Sequence, residues 1–196
     1  MGAHARSLGI PREEELVGAG VSYCATCDGA FFKEKDVVVV GGGDTAVSDA
    51  LYLSRFCTNV TIVHRRDEFR AAAVLVEKAK QTENIHMALS CVPVSFAGES
   101  HVEGLEIRDL KTGQTRVVPA SGVFVAVGIT PQSDLVKNIV ILNESGSIVT
   151  DELMKTNLPG VYAAGDIRNT PLRQVITACA DGAVAATSAL EFISCH

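Results

Sequence analysis

The segment that most constrains the fold is a β-branched strand followed by three glycines and an apolar-faced helix. Residues 36–40 read Asp-Val-Val-Val-Val and lead into Gly41-Gly42-Gly43. A β-branched run bounded by turn residues predicts a strand buried on both faces of a parallel sheet. Residues 44–56 place apolar side chains at helical spacing, and residues 59–64 predict the next strand. Together these elements predict one Rossmann unit.

The glycine-rich turn has the spacing of a dinucleotide site, Gly41-x-Gly43-x-x-Ala46. Gly41 permits a tight turn, Gly43 lets backbone N–H groups approach a pyrophosphate, and Ala46 allows close helix–strand packing. The following helix directs its positive end at the phosphates. The spacing alone is a weak signal, but here it follows a buried strand and opens a helix. The predicted nucleotide contacts at the turn are Gly41, Gly42, Gly43, Asp44, Thr45 and Ala46.

The end of the second predicted strand indicates which nucleotide is bound. An NAD site places an acidic residue there to hold the ribose 2′-hydroxyl. This chain has His64-Arg65-Arg66, followed by Arg70. Cations suit a 2′-phosphate, and the planar guanidinium fork matches phosphate oxygens. The alternative is a solvated charged surface, but the position at the strand end favours NADPH over NADH.

Two of the six cysteines form a closely spaced pair, Cys24-Ala25-Thr26-Cys27, and Asp28 follows them. This spacing is typical of a redox-active disulfide, and an adjacent carboxylic acid can protonate a leaving thiolate. Half of a zinc site or an incidental pair remain alternatives, although no second C-x-x-C supports a metal site. Reduction by hydride moves two electrons, and nicotinamide reduces disulfides poorly, so a flavin relay is expected.

The middle of the chain continues the α/β pattern. Residues 70–81 predict a second helix, and two short strands are expected between residues 85 and 97. Residues 101–119 predict a hairpin. Residues 122–128 predict another buried strand, which leads into a loop at residues 129–131.

The last third of the chain differs in character. Short strands are expected near residues 147–149 and 161–164, before a helix of small residues from about Arg173 to Phe192. We therefore predict two domains, residues 1–132 and residues 133–196. The predicted fold class is α/β, with a Rossmann-like three-layer domain and part of a second, similar domain.

Composition excludes some partners. The net charge of −6 and the pI near 5.3 argue against nucleic acid, because phosphate binding needs a dense basic surface. No apolar run is expected to reach the roughly 18 residues of a membrane span. The first fifteen residues lack the apolar segment of a secretory signal, so the expected location is the cytoplasm.

Several ordered segments resemble the low-molecular-weight thioredoxin reductases, which belong to the pyridine nucleotide-disulfide oxidoreductases. They are Cys-Ala-Thr-Cys-Asp-Gly at residues 24–29, the glycine turn, and His-Arg-Arg-Asp-Glu-Phe-Arg at residues 64–70. Gly-Val-Tyr-Ala-Ala-Gly-Asp at residues 160–166 resembles the family's second FAD motif. The resemblance covers essentially the whole chain.

The resemblance implies a mechanism and further site residues. NADPH would reduce FAD, and FAD would reduce the Cys24–Cys27 disulfide. Cys27 would face the flavin, Cys24 would attack the disulfide of thioredoxin, and Asp28 would act as general acid. The additional cofactor contacts implied are Gly128 for the nicotinamide nucleotide, and Gly165, Asp166, Arg173, Gln174 and Val175 for FAD. Family members are homodimers.

The family pattern also includes a first Gly-rich βαβ unit that grips the ADP half of FAD. We find no such unit in the sequence, and Met1-Gly2-Ala3 resembles a family loop that follows it. We therefore expect the NADPH domain with only the C-terminal part of the FAD domain. Three alternatives remain: an NADPH-binding fragment without reductase activity, a reductase of another thiol protein, and a ferredoxin-linked relative. The arginines argue against the last.

Overall fold

The computed structural model describes residues 2–195, which divide into two compact units. The larger unit comprises residues 5–128, and the smaller unit comprises residues 2–4 with residues 129–195. The predicted boundary near residue 132 lies a few residues after this division.

The larger unit is built on a five-stranded parallel sheet. Its strands, in spatial order, are β2 (Val21–Ser22), β9 (Gly122–Val125), β3 (Asp36–Val40), β4 (Asn59–Val63) and β5 (Ile85–Ala88). A short helix, α1 (Ala25–Asp28), follows β2, and α2 (Asp44–Leu53) and α3 (Ala73–Lys80) follow β3 and β4. The chain runs from β3 outward to β5 on one side and returns to β9 on the other. The strand order therefore reverses between β3 and β9, where ligands bind in open α/β sheets.

Alternate residues of β3 face opposite layers. Val37 and Val39 pack with the apolar side chains of α2, whereas Val38 and Val40 pack towards a second sheet. That antiparallel sheet contains β6 (Cys91–Ala97), β7 (Gly104–Asp109) and β8 (Thr115–Pro119). Helices, parallel sheet and antiparallel sheet give three layers, which confirms the predicted fold class.

The smaller unit contains a two-stranded sheet, β1 (Ala3–Ala5) with β10 (Ile129–Pro131), and the long helix α4 (Val175–Cys195). A 3-10 helix at Gly165–Ile167 precedes α4. Its turn is fixed by Asp181 of α4, which accepts hydrogen bonds from the Gly165 N–H at 3.0 Å and from the Arg168 Nε at 2.7 Å. The ion pair is largely buried, since each side chain is 12% exposed.

Helix α4 has one packed face and one exposed apolar face. On the packed face, the Ser188 hydroxyl donates to the Leu153 carbonyl at 3.0 Å. The exposed face carries Val175, Ile176, Leu190 and Ile193. By length and composition alone, α4 is the single helix within residues 2–195 that reaches the size of a membrane span. The expectation that no stretch reaches this length was wrong, because scattered small polar residues do not lower the mean hydropathy enough.

Three local predictions were wrong. α3 begins at Ala73 instead of residue 70, and residues 129–131 form β10 instead of a loop. The strands expected near 147–149 and 161–164 are only isolated bridges, from Ile148 to two other segments and from Tyr162 to one. Scattered backbone and side-chain hydrogen bonds hold these segments in place of a continuous ladder.

The Arg168–Asp181 pair predicts a pH-dependent contribution to stability. Hydrogen bonds from Arg168 lower the pKa of Asp181, so the pair stabilises the folded chain above the ordinary carboxyl pKa of about 4. This contribution is lost as the pH falls through the lowered value. We expect Asp181→Asn to reduce the free energy of unfolding by about 3 kcal/mol at pH 7, because it leaves the guanidinium buried without its counter-ion.

Urea denaturation of wild type and variant at pH 7 and pH 3 measures this effect. Asp134→Asn is the control, because its ion pair with Lys137 is on the surface and should contribute less than about 1 kcal/mol. An Asp181→Asn deficit that does not shrink at pH 3 would contradict the electrostatic explanation.

Candidate functional site

A pocket of about 400 Å³ opens at the carboxyl edge of the parallel sheet in the larger unit. Its walls come from the ends of three neighbouring strands and from three other places along the chain, which are residues 6–8, Arg70 and residues 91–93. The polar and glycine residues of its lining include Arg6, Gly41, Gly42, His64, Arg65 and Arg70. The pocket therefore lies at the point of strand reversal, where the sequence predicts the dinucleotide.

The glycine turn is shaped by close backbone approaches. Gly41 has φ +154°, and a Cβ added there would lie 2.4 Å from the Ala126 carbonyl oxygen and 2.8 Å from the Cβ of Ala46. A Cβ on Gly42 would lie 2.2 Å from Nδ1 of His64. Gly43 follows the pocket-lining Gly42, and no heavy atom lies within 4 Å of the position that a Cβ would take there.

His64 is the buried polar group of this pocket. Its side chain is 5% exposed and its ring stacks on Phe69, with centroids 5.5 Å apart. Its Nε2 has no hydrogen-bond partner among the described residues. Burial lowers the pKa of His64, and the neighbouring arginine charges act in the same direction, against a backbone hydrogen bond to Glu68 that raises it. A buried unpaired nitrogen fits a site that is completed by a polar ligand.

The arginines do not all occupy equivalent places. All three arginines are exposed, but Arg65 and Arg70 line the pocket and Arg66 does not. Arg66 instead contributes its carbonyl, which accepts the Ser90 N–H at 2.9 Å. Arg6, which the sequence analysis did not select, lines the pocket beside Gly128. No local motif marks Arg6, because Arg6 and Gly128 are far apart in sequence and meet only in the folded chain.

The cysteine pair forms a disulfide at the start of α1. The Cα atoms of Cys24 and Cys27 are 5.2 Å apart. Cys24 is the N-cap of α1, and its Sγ accepts the Cys27 N–H at 3.2 Å. A backbone donor aimed at this sulfur favours negative charge there after reduction. Cys27 is exposed, and Cys24 is half-buried.

Asp28 is held beside the pair by a residue that the sequence analysis missed. The buried Ser22 donates its hydroxyl hydrogen to Oδ2 of Asp28 at 2.6 Å. The same oxygen of Ser22 accepts the Cys24 N–H at 3.1 Å. Ser22 therefore connects the acid to the backbone of the cysteine. A serine two residues before a turn is the signal that could have identified it.

The predicted FAD contacts lie in the smaller unit. Gly165 has φ +78° and donates to Asp181, and the half-buried Asp166 follows it. Arg173 has a buried Nε without a hydrogen-bond partner among residues 2–195. This orphan donor fits a bound polar group. Gln174 N–H bonds to Thr177 Oγ1 at 3.1 Å, immediately before Val175 begins α4.

The Gly42–His64 contact gives a stability prediction. A methyl group at residue 42 must displace the buried imidazole, so Gly42→Ala should lower the free energy of unfolding by about 1–3 kcal/mol. Gly43→Ala is the matched control and should change it by less than about 1 kcal/mol, because the added methyl meets open space. Thermal denaturation of both variants measures the difference, and equal effects would show that the contact is not tightly packed.

Comparison with known proteins agrees with this geometry. Residues 1–182 match the family described as pyridine nucleotide-disulphide oxidoreductase. The chain is 48% identical to a thioredoxin reductase of Peptoclostridium acidaminophilum over all of its length and 64% of that relative. It is 44% identical to a thioredoxin reductase of Bacillus subtilis, covering 98% of the chain and 61% of the relative.

Solved structures give the same result. The crystal structure of thioredoxin reductase from Streptococcus pyogenes aligns with a TM-score of 0.93 and 41% identity, covering all of this chain and 64% of that one. The chain spans less than two thirds of the length of these relatives. With the matched motifs in their expected places on the fold, the chain belongs to the pyridine nucleotide-disulphide oxidoreductase family.

Proposed function

We propose that the chain supplies the NADPH-binding and dithiol parts of a thioredoxin reductase. The observation that carries this proposal is the position of both sites on one sheet. Cys24 follows the carboxyl end of β2, and the glycine turn follows the carboxyl end of β3. Both strands pair in parallel with β9, so the disulfide and the nucleotide pocket lie at the same edge of the sheet.

The pocket residues suit NADPH by their chemistry. The open backbone of Gly43 and the start of α2 would hold the pyrophosphate. Arg65 and Arg70 would hold the 2′-phosphate, and the orphan Nε2 of His64 would bond to the nucleotide. In the smaller unit, Asp166 and Arg173 would hold FAD. When bound, NADPH would supply a hydride, and FAD would pass the two electrons of that hydride on to the disulfide.

The protein's own groups then complete disulfide exchange. The disulfide takes up two electrons and two protons to give the Cys24 and Cys27 thiols. Asp28, held by Ser22, takes the proton of Cys24, and the resulting thiolate attacks the disulfide of thioredoxin. Asp28 then gives that proton to the leaving sulfur. Cys27 attacks the Cys24 sulfur of the mixed disulfide, and its proton passes to the second thioredoxin sulfur, which releases reduced thioredoxin and restores the starting disulfide.

An exposed aromatic ring close to the disulfide in sequence supports a protein substrate. Phe31, four residues after Cys27, is 75% exposed. Phenylalanine is among the aromatic residues enriched at the core of protein interfaces. Thioredoxin as partner follows from the similarity to thioredoxin reductases. The homodimer and the cytoplasmic location expected from the sequence stay predictions.

Nucleotide preference tests the NADPH assignment. Arg65→Ala should weaken NADPH binding about tenfold or more and leave NADH binding nearly unchanged, because it removes one charge-assisted contact to the 2′-phosphate. Arg66→Ala is the control and should have a smaller effect, since Arg66 does not line the pocket. Calorimetric titration of the full chain measures both. Unchanged NADPH preference in both variants would mean that the 2′-phosphate assignment is wrong.

Trapping of a mixed disulfide tests the roles of the cysteines. The exposed Cys179 and Cys195 are first replaced by serine to remove competing thiols. In that background, Cys27→Ser should accumulate a covalent adduct with oxidised thioredoxin, because the Cys24 thiolate attacks and no second thiol resolves the product. Cys24→Ser is the matched variant and should give little adduct. Mass spectrometry measures the yield of adduct from each variant. A high yield from Cys24→Ser and a low yield from Cys27→Ser would mean that Cys27 is the attacking cysteine.

A further inference from the structure

The loop that carries the predicted 2′-phosphate arginines is irregular but is attached to the glycine turn. Between β4 and α3 the chain forms no helix or strand. At its far end, the Arg70 N–H donates to the Gly42 carbonyl at 2.8 Å. Two residues later, the Ala72 N–H donates to Oδ1 of Asp44 at 2.7 Å. These two hydrogen bonds fix the backbone on both sides of Ala71, the residue after Arg70, which lines the pocket.

The charge of Asp44 argues against direct contact with the cofactor. Asp44 belongs to the predicted set of nucleotide contacts, and neither it nor Gly43 is among the residues that line the pocket. Its carboxylate has the same sign of charge as pyrophosphate and 2′-phosphate groups, so direct contact would be repulsive. An acidic residue next to a phosphate site therefore needs another explanation, and its bond to Ala72 provides one.

The hydrogen bond from the Ala72 N–H to Asp44 also provides a capping acceptor at the start of α3. Ala72 is the N-cap of this helix, and an alanine has no side chain to fix the chain where a helix begins. Its first turn also lacks an acidic residue. Asp44, at the first position of α2, provides an acceptor from a different part of the chain. The start of α3, and with it the end of the arginine loop, is thus set by the glycine turn.

We propose that Asp44 is a positioning residue that gives the pocket its preference for a 2′-phosphorylated nucleotide, by holding Arg70 in place through the Ala72 N–H. The inference rests on the proposed NADPH site and adds a determinant of its specificity. Asp44 does not touch the nucleotide. It acts only on the part of the site that would bind the 2′-phosphate, the group by which NADPH differs from NADH.

The test is the binding of NADPH and NADH to the full chain, measured by calorimetric titration. Asp44→Ala should raise the Kd for NADPH about tenfold, the usual effect of one lost charge-assisted hydrogen bond. It should change the Kd for NADH by less than about twofold. Asp44→Asn keeps an oxygen acceptor without the charge and should restore the NADPH preference. If the charge itself were the determinant, both variants would instead bind both nucleotides more tightly.

A double-variant cycle with Arg70 separates positioning from a general structural effect. In the Arg70→Ala background, Asp44→Ala should alter the Kd for NADPH by less than about twofold, because the group that Asp44 positions is already absent. A full tenfold effect in that background would overturn the proposal. Asp44→Ser, whose hydroxyl is shorter than the carboxylate, provides a second variant if alanine lowers the yield of folded protein.

The wild-type chain shows which proposal fails. If wild type binds NADPH and NADH equally, the NADPH assignment is wrong, and the positioning role proposed for Asp44 is wrong as well. If wild type prefers NADPH and Asp44→Ala keeps the same ratio of Kd values, the NADPH site stands and only the positioning role is overturned.

Discussion

Burial of β3 on both faces is the constraint on which the larger unit depends. Val37 to Val40 are almost fully buried, with alternate residues in the helical layer and in the layer of the antiparallel sheet. Each such side chain stabilises the fold by about 1.5–3 kcal/mol. The strand also pairs with β4 and β9 on its two sides. Its carboxyl end is therefore fixed in the centre of the sheet, and the glycine turn must open where the strand order reverses.

The same sheet accounts for the pairing of two chemistries. A parallel sheet collects the carboxyl ends of its strands at one edge, so the disulfide after β2 and the nucleotide pocket after β3 lie at the same edge, with β9 between their strands. Each site then has its own local support. Ser22 fixes Asp28 and the Cys24 backbone, and Asp44 fixes the end of the arginine loop.

The elements that could be predicted from sequence are those whose pattern is local. The valine run, the glycine turn and the C-x-x-C spacing each contain their own signal, and the structure places them as expected. Contacts between distant segments could not be predicted in this way. The pairing of Arg6 with Gly128 depends on chain reversal, and Asp44 reaches Ala72 across 28 residues. The start of α3 also involves a distant group, because the N–H of its N-cap Ala72 donates to Asp44.

A crystal structure of the chain with NADP⁺ tests the central claim most directly, because the pocket at the β3–β9 reversal makes a specific geometric prediction. The account predicts the 2′-phosphate between Arg65 and Arg70, the pyrophosphate over Gly43, and a hydrogen bond from the nucleotide to Nε2 of His64. A nucleotide bound elsewhere on the chain, or bound here with the 2′-phosphate directed away from both arginines, would contradict it.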